Sequence, residues 1–183
     1  ITASLPIAQF SLAPLLPRLA ADYPKIRIVL HATDRFVDIV QEGFDIAIRS
    51  HFAPLADSGL VQRRIDLDPT WLVASADYAR ARGLPPRPED ADGIDGLMVS
   101  PADTVWRLRD GNGVAAELTP SPRYIANETV SLLAAARAGL GVACLASRFC
   151  QPHIASGELV RVLPDWTAGG VTTTLLMPHR RGQ

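Results

Sequence analysis

The run Phe44-Asp45-Ile46-Ala47-Ile48-Arg49 reads as a buried strand that breaks off at an arginine. A guanidinium there presents a planar fork suited to a carboxylate. In open parallel sheets, ligands sit beyond the carboxyl ends of the strands, where helix amino-termini turn amides outward and favour negative charge. Three such ends are legible: Ser4-Leu5-Pro6, Thr33-Asp34-Arg35 and Arg49-Ser50-His51. A fourth group, Asn127-Glu128-Thr129, opens a long helix later in the chain and offers hydroxyl and amide donors. These residues predict a binding site for a small carboxylate, with Arg49 as the cation. Asp34, Arg35 and Glu128 make a zwitterion such as an amino acid equally suitable. The competing reading pairs Arg49 with Asp45, four residues back on the same strand face, or with a loop carboxylate, because a charged side chain at a strand end must find some partner. Structural roles also compete at Ser4 (turn chemistry), His51 (a lone surface or packing histidine) and Asn127 (the N-cap of its helix).

Other chemistry has less to stand on. His31, His51, His153 and His179 are scattered without ligand spacing and predict no metal site. No serine or cysteine lies on a nucleophile elbow with an assignable base, so no catalytic residue and no cofactor is expected. Gly139 to Cys144 superficially matches a dinucleotide fingerprint but follows a helix and precedes a strand, the reverse of the required order. Asn127-Glu128-Thr129 is formally a glycosylation acceptor, better explained as a helix cap. Cys144 lies in the apolar "VACLA" run and is expected to be buried, a small hydrophobe rather than a redox sensor. Trp71, Trp106 and Trp166 each sit in or beside an expected strand, which favours packing over an aromatic cage.

The elements that must position these groups follow from periodicity. "ITASLP" is a short strand, and Leu12, Leu15, Leu16 and Leu19 recur at helical spacing, with Ser11 as cap, Pro14 in the first turn, and Pro17 where a missed amide donor delays or kinks the helix. Ile26, Ile28, Val29 and Leu30 predict an interior parallel strand, apolar on both faces. Asp34 is placed to cap a helix carrying Phe36, Val37, Ile39 and Val40 that closes at Gly43, before the strand ending in Arg49. Strand, helix, strand, helix, strand within fifty residues is the pattern of a parallel α/β layer. Beyond it, "SGLVQRRI" and "TWLVAS" predict two strands, "VWRLRDGNGVAAEL" a hairpin turning at Asn112-Gly113, and "RYIAN" the lead into a helix capped by Asn127. "VACLA" is a strand, "SRFCQPHIASG" a helix bent or ended near Pro152, and "ELVRVLPDW" and "VTTTLLMPH" are closing strands.

The chain of 183 residues is 48% hydrophobic, enough for a core, and carries 18 Lys and Arg against 19 Asp and Glu. A net charge of -1 creates no field that would draw it onto a phosphate backbone or an anionic membrane. No apolar run reaches the roughly 18 residues of a membrane span. Two cysteines exclude a disulfide scaffold. These features favour the cytoplasm.

"LAPLLPRLAADYPKIRIVLHATDRFVDIVQEGFDIAIR", followed by "LVQRRI", "WLVASADYARARG", "AARAGLGVACL" and "GELVRVLPDW", resembles the effector-binding domain of LysR-type transcriptional regulators over nearly the whole chain. The resemblance implies an α/β protein of two Rossmann-like subdomains joined by two crossover strands, in the manner of a type II periplasmic binding protein, with an inducer cleft between them. Subdomain I would be residues 1–70 plus 164–183, and subdomain II residues 71–163. The family's effector contacts fall at the four groups named above. It also implies a homodimer or homotetramer formed through the first helix and second strand, here Leu12 to Ala21 and Ile26 to Ala32. DNA would be met only through an amino-terminal winged helix-turn-helix that nothing in this sequence matches, and the family's last helix is missing after "PHRRGQ", as in a truncated regulator. A periplasmic solute-binding protein of the same fold is the alternative.

Overall fold

The computed structural model describes residues 1–35, 37–55 and 58–179. The strands run β1 (Thr2–Ala3), β2 (His31–Ala32), β3 (Ala47–His51), β4 (Val61–Ser75), β5 (Asp95–Met98), β6 (Trp106–Asp110) and β7 (Ala115–Leu118). They continue as β8 (Ser121–Ile125), β9 (Val142–Ala146), β10 (Leu159–Val162), β11 (Trp166–Thr167) and β12 (Gly170–Met177). Four α-helices accompany them among the described residues: α1 (Leu16–Asp22), α2 (Ala76–Arg82), α3 (Thr129–Arg137) and α4 (Ser147–Ala155). The chain divides into two compact units, residues 1–67 with 171–183, and residues 68–170.

The first unit has strand order β2-β1-β3-β12. β1 runs parallel to β2 and β3, the parallel layer expected from the alternation of elements, and β12 closes it antiparallel to β3. Its buried cluster is Ile39, Ala47 and Leu176, with Val37, Phe44, Leu55 and Leu60 packed around it. In the second unit the order is β4-β9-β5-β8, with β10 antiparallel along β4, and β11-β6-β7 forms a separate three-stranded sheet. Leu72, Met98, Trp106, Leu108, Leu118 and Val142 anchor its core. Burying each leucine or methionine there contributes about 1.5–3 kcal/mol.

Several local expectations are corrected. Helical structure begins at Leu5, well before Ser11, because the Ser4 carbonyl already accepts the Ala8 amide at 2.8 Å. A wide π-type segment follows over Ile7–Leu12, and α1 restarts beyond Pro14, with Pro17 in its first turn where no amide donor is needed. The helix expected from Asp34 does not form. Asp38 instead caps a single turn, accepting the Val40 and Gln41 amides at 3.0 Å, and the turn closes at Gly43 with φ 72°. Phe36, which that helix was to carry, lies outside the described residues. Ile26 to Leu30 is not an interior strand: only His31 and Ala32 pair, at the sheet edge, and Ile26 and Val29 are 53% and 61% exposed.

β4 is one strand of fifteen residues rather than two, running through Pro69, which is exposed and precedes Thr70, the first residue paired with β9. In the β6–β7 turn only Gly113 has positive φ, at 87°, and Asp110 closes the loop by accepting from Asn112 and Val114. The cap of α3 is Glu128, not Asn127. α4 continues past Pro152 to Ala155. Cys150 is fully enclosed, and Cys144 keeps only partial exposure, its thiol desolvated.

Candidate functional site

The first unit brings Ser4, Leu5, Thr33, Asp34 and Arg49 together. The pairing of Thr2 with Ala47 and Ala3 with Ile48 places Thr2, Ser4 and Arg49 on one face, since side chains alternate along parallel strands. Arg49 is only 6% exposed. Its Nη1 donates to the Thr33 carbonyl at 2.7 Å and its Nη2 to the Thr2 hydroxyl at 2.8 Å. Among the described residues neither bonded partner is a carboxylate, so the expected alternative of a pair with Asp45 is not what holds it. Burial lowers the Arg49 guanidinium below the ordinary arginine range, while the fields of Asp34 and Glu42 oppose that fall.

Ser4 is 8% exposed, and its Oγ has no hydrogen-bond partner. An unsatisfied buried hydroxyl costs about 1–3 kcal/mol. An unpartnered hydroxyl on the same face as a buried cation without a bonded carboxylate is an arrangement whose unmet demand an anion would satisfy. Leu5 gives its amide to Asp34 Oδ1 at 2.9 Å. Pro6 is buried and has no donor to give.

Thr33 serves the site through its carbonyl, and its hydroxyl accepts the Arg35 amide at 3.2 Å. Arg35 points its charge elsewhere, to Glu42 at 3.5 Å. Ser50 faces away from Arg49, opposite Thr173 on β12. His51 is committed at both ring nitrogens. Nδ1 meets the Ala53 carbonyl at 2.7 Å and must carry the proton, so in the neutral ring Nε2 accepts from the Thr174 hydroxyl at 2.8 Å. An open depression of about 380 Å³ lies beside it, lined by polar and apolar groups alike, among them His51, Phe52, Pro54, Leu55, Arg64 and Thr174.

Asn127, Glu128 and Thr129 belong to the second unit, at the start of α3. Glu128 accepts the Val130 amide at 2.6 Å and the Ser131 amide at 2.8 Å. Burial pushes its carboxyl up, but those two hydrogen bonds outweigh it and hold it below the usual range. Asn127 is exposed and Thr129 half-buried.

Sequence reasoning missed Thr2 and Thr174, the hydroxyls that orient Arg49 and His51. Alternation puts Thr2 on a face with Ser4 and Arg49 on a face with His51, but only the strand pairing brings Thr2 to Arg49 and Thr174 to His51. Among the described residues, no group of three or more His, Cys, Asp or Glu could hold a metal ion, and no helix is long and apolar enough to cross a membrane.

The LysR substrate binding domain family model matches residues 1–183. An uncharacterized HTH-type transcriptional regulator of Haemophilus influenzae is 29% identical over 176 residues, covering 93% of this chain and 59% of that protein. The probable HTH-type transcriptional regulator LtrA of Klebsiella pneumoniae is 30% identical over 170 residues, covering 91% and 54%. This chain therefore spans little more than half the length of these curated relatives. Among solved structures, the regulatory domain of AphB in Vibrio vulnificus superposes with a TM-score of 0.80 at 29% identity, covering 98% of this chain and 90% of that one.

Proposed function

The chain belongs to the LysR substrate-binding domain family, and from that premise we propose that it is the effector-sensing part of a LysR-type transcriptional regulator that takes a small carboxylate or amino acid at Arg49. The observation that carries the effector class is Arg49 itself, a buried guanidinium with no carboxylate bonded to it, with the unpartnered hydroxyl of Ser4 on the same face. The effector carboxylate accepts from the guanidinium and from Ser4 Oγ. Effector binding shifts the regulator between states with different affinities for DNA, which an amino-terminal domain outside this chain reads in the cytoplasm; such coupling requires the effector to bind one state better than the other.

Oligomer formation uses the apolar side chains left exposed on α1 and the run leading to β2: Leu15, Leu19, Tyr23, Ile26 and Val29. Exposed large apolar side chains of this kind are what a subunit interface would cover.

The test is a thermal-shift screen of small carboxylic acids and amino acids against the parent and Arg49→Ala. A compound that raises the melting temperature of the parent should bind the variant more weakly by about 1.5–3 kcal/mol, the worth of a charge-assisted hydrogen bond. Equal affinity for the two proteins removes Arg49 from the effector site.

A further inference from the structure

Among the described residues Arg49 has no bonded carboxylate, yet one stands close by. Asp34 Oδ1 accepts the Leu5 amide at 2.9 Å, and Leu5 directly follows Ser4, whose hydroxyl is unpartnered. Asp34 also follows Thr33, whose carbonyl holds Arg49 Nη1 at 2.7 Å. The neighbouring cation, Arg35, is drawn off to Glu42, and among the described residues Asp34 has no bonded cation of its own. Asp34 is exposed and lies on an irregular segment, not in the helix its sequence position suggested, so its side chain has room to move. Segment 33–34 therefore does two things at once. Its backbone orients the guanidinium, and its carboxylate occupies an amide that an arriving anion would otherwise use. Its negative charge also acts on Arg49, which weakens the attraction of the guanidinium for a second anion.

Resting on the anion-site reading above, we propose that Asp34 is an internal competitor, a carboxylate that occupies the Leu5 amide in the empty domain and is displaced when an effector carboxylate docks on Arg49 and Ser4. Two consequences follow. The affinity for an anion is set below what Arg49 and Ser4 alone would give. Occupancy is also felt at the segment immediately after His31–Ala32, the edge strand of the sheet.

The test uses acetate and glycine as probes, titrated at constant ionic strength into the parent, Asp34→Asn and Arg49→Ala and followed by nuclear magnetic resonance at the Leu5 amide and the Arg49 side chain. Asparagine keeps an acceptor for Leu5 and removes the charge. A thermal melt of each variant, together with Asp34→Ala, controls for folding. The competitor predicts that Asp34→Asn tightens acetate about tenfold, that Asp34→Ala does the same, and that in the parent acetate shifts the Leu5 and Thr33–Arg35 amides together. Unchanged or weakened acetate binding in both Asp34 variants overturns it. Glycine weakened with acetate unchanged also overturns it, and assigns Asp34 to a ligand ammonium instead. Acetate that binds the parent and Arg49→Ala alike, or binds no variant, sinks the anion-site reading itself and the competitor with it.

Discussion

Replacing Arg49 by methionine separates what the residue does for the fold from what it does for a ligand. Two charge-assisted hydrogen bonds are lost, to the Thr33 carbonyl and the Thr2 hydroxyl, each worth about 1.5–3 kcal/mol. Against that, a guanidinium that is 6% exposed and lacks a bonded carboxylate bears a desolvation cost of several kcal/mol. The direction of its shift carries the same message. A cationic group lowered by burial is harder to keep charged in the folded protein than in the unfolded one. That penalty is present at every pH where arginine carries its charge, and is relieved only as pH rises through its lowered folded value. Methionine fills similar volume without strain. The losses and the relieved penalty are of like size, so Arg49→Met should unfold in urea within about 1 kcal/mol of the parent, or within roughly 2–4 °C in a melt. The ligand response should diverge sharply. An anion at a hundred times its dissociation constant stabilises the parent by about 2.7 kcal/mol, and the variant by close to nothing. A loss of more than about 3 kcal/mol of stability would refute the reasoning, because Arg49 would then be a structural keystone whose bonds outweigh its burial. So would a methionine variant that keeps the anion-induced shift.

Three further outcomes follow from the geometry. Asp68 is buried and serves the first turn of α4, accepting from the Ser147 hydroxyl, from the Arg148 amide at 3.1 Å and from Arg148 Nε at 2.8 Å. Asp68→Ala should cost about 3–5 kcal/mol in urea unfolding, as expected when one partner of a buried ion pair is removed, and a cost below about 1 kcal/mol would show that the contacts are incidental. Burial pushes both thiols up to about 12, so Cys144 and Cys150 should resist iodoacetamide at pH 8 in the folded protein and react fully in denaturant. Rapid labelling of the native protein would contradict this. The same shift, being upward, contributes stability that is intact below the ordinary thiol range and is lost as pH rises from about 9 toward about 12. Glu128→Ala removes the cap of α3 and should cost about 0.5–2 kcal/mol at pH 7. Because the Glu128 carboxyl is held low, that difference should shrink as the pH falls below the carboxylate range, and a cost that is flat from pH 7 to pH 3 would show that the carboxylate is not what caps the helix.

The parallel layer of the first unit was legible from the alternation of apolar runs with turns, although β3 lies later than expected, at Ala47–His51, and includes Arg49, Ser50 and His51. The segments that misled are those where a side chain chose a distant partner over a local one. Asp34 sits where a helix cap should be, but it spans 29 residues to the Leu5 amide, and without its cap the helix shrinks to one turn held by Asp38. Ile26 to Leu30 looks like an interior strand by composition, yet its position at the sheet edge leaves Ile26 and Val29 in the open, and hydropathy carries no information about which strand is the edge. Asn127 and Glu128 are adjacent acceptors before the same helix. Only the backbone decides which of them reaches the amides of Val130 and Ser131. For the site, the arginine could be found because it ends the apolar run, although β3 does not break off there but continues through Ser50 and His51; its dependence on Thr2 could not, because 47 residues separate the two and only strand pairing makes them neighbours.

That dependence bears on why the fold would retain such a residue. Thr2 and the Thr33 carbonyl supply hydrogen bonds but no negative charge, so they fix the direction of the guanidinium and leave its charge without a bonded carboxylate. A carboxylate built into hydrogen-bonding distance at the same place would remove the desolvation cost and with it any appetite for a ligand. Asp34 instead bonds to a backbone amide and acts on Arg49 only through its field. The site is thus held between two extremes. It is polar enough to keep the arginine oriented, and unsatisfied enough, at Ser4 and Arg49 together, that an arriving carboxylate gains interactions the domain does not make by itself. Preorganisation of this kind converts a folding penalty into binding free energy, since the direction of the donors has been set before the ligand arrives.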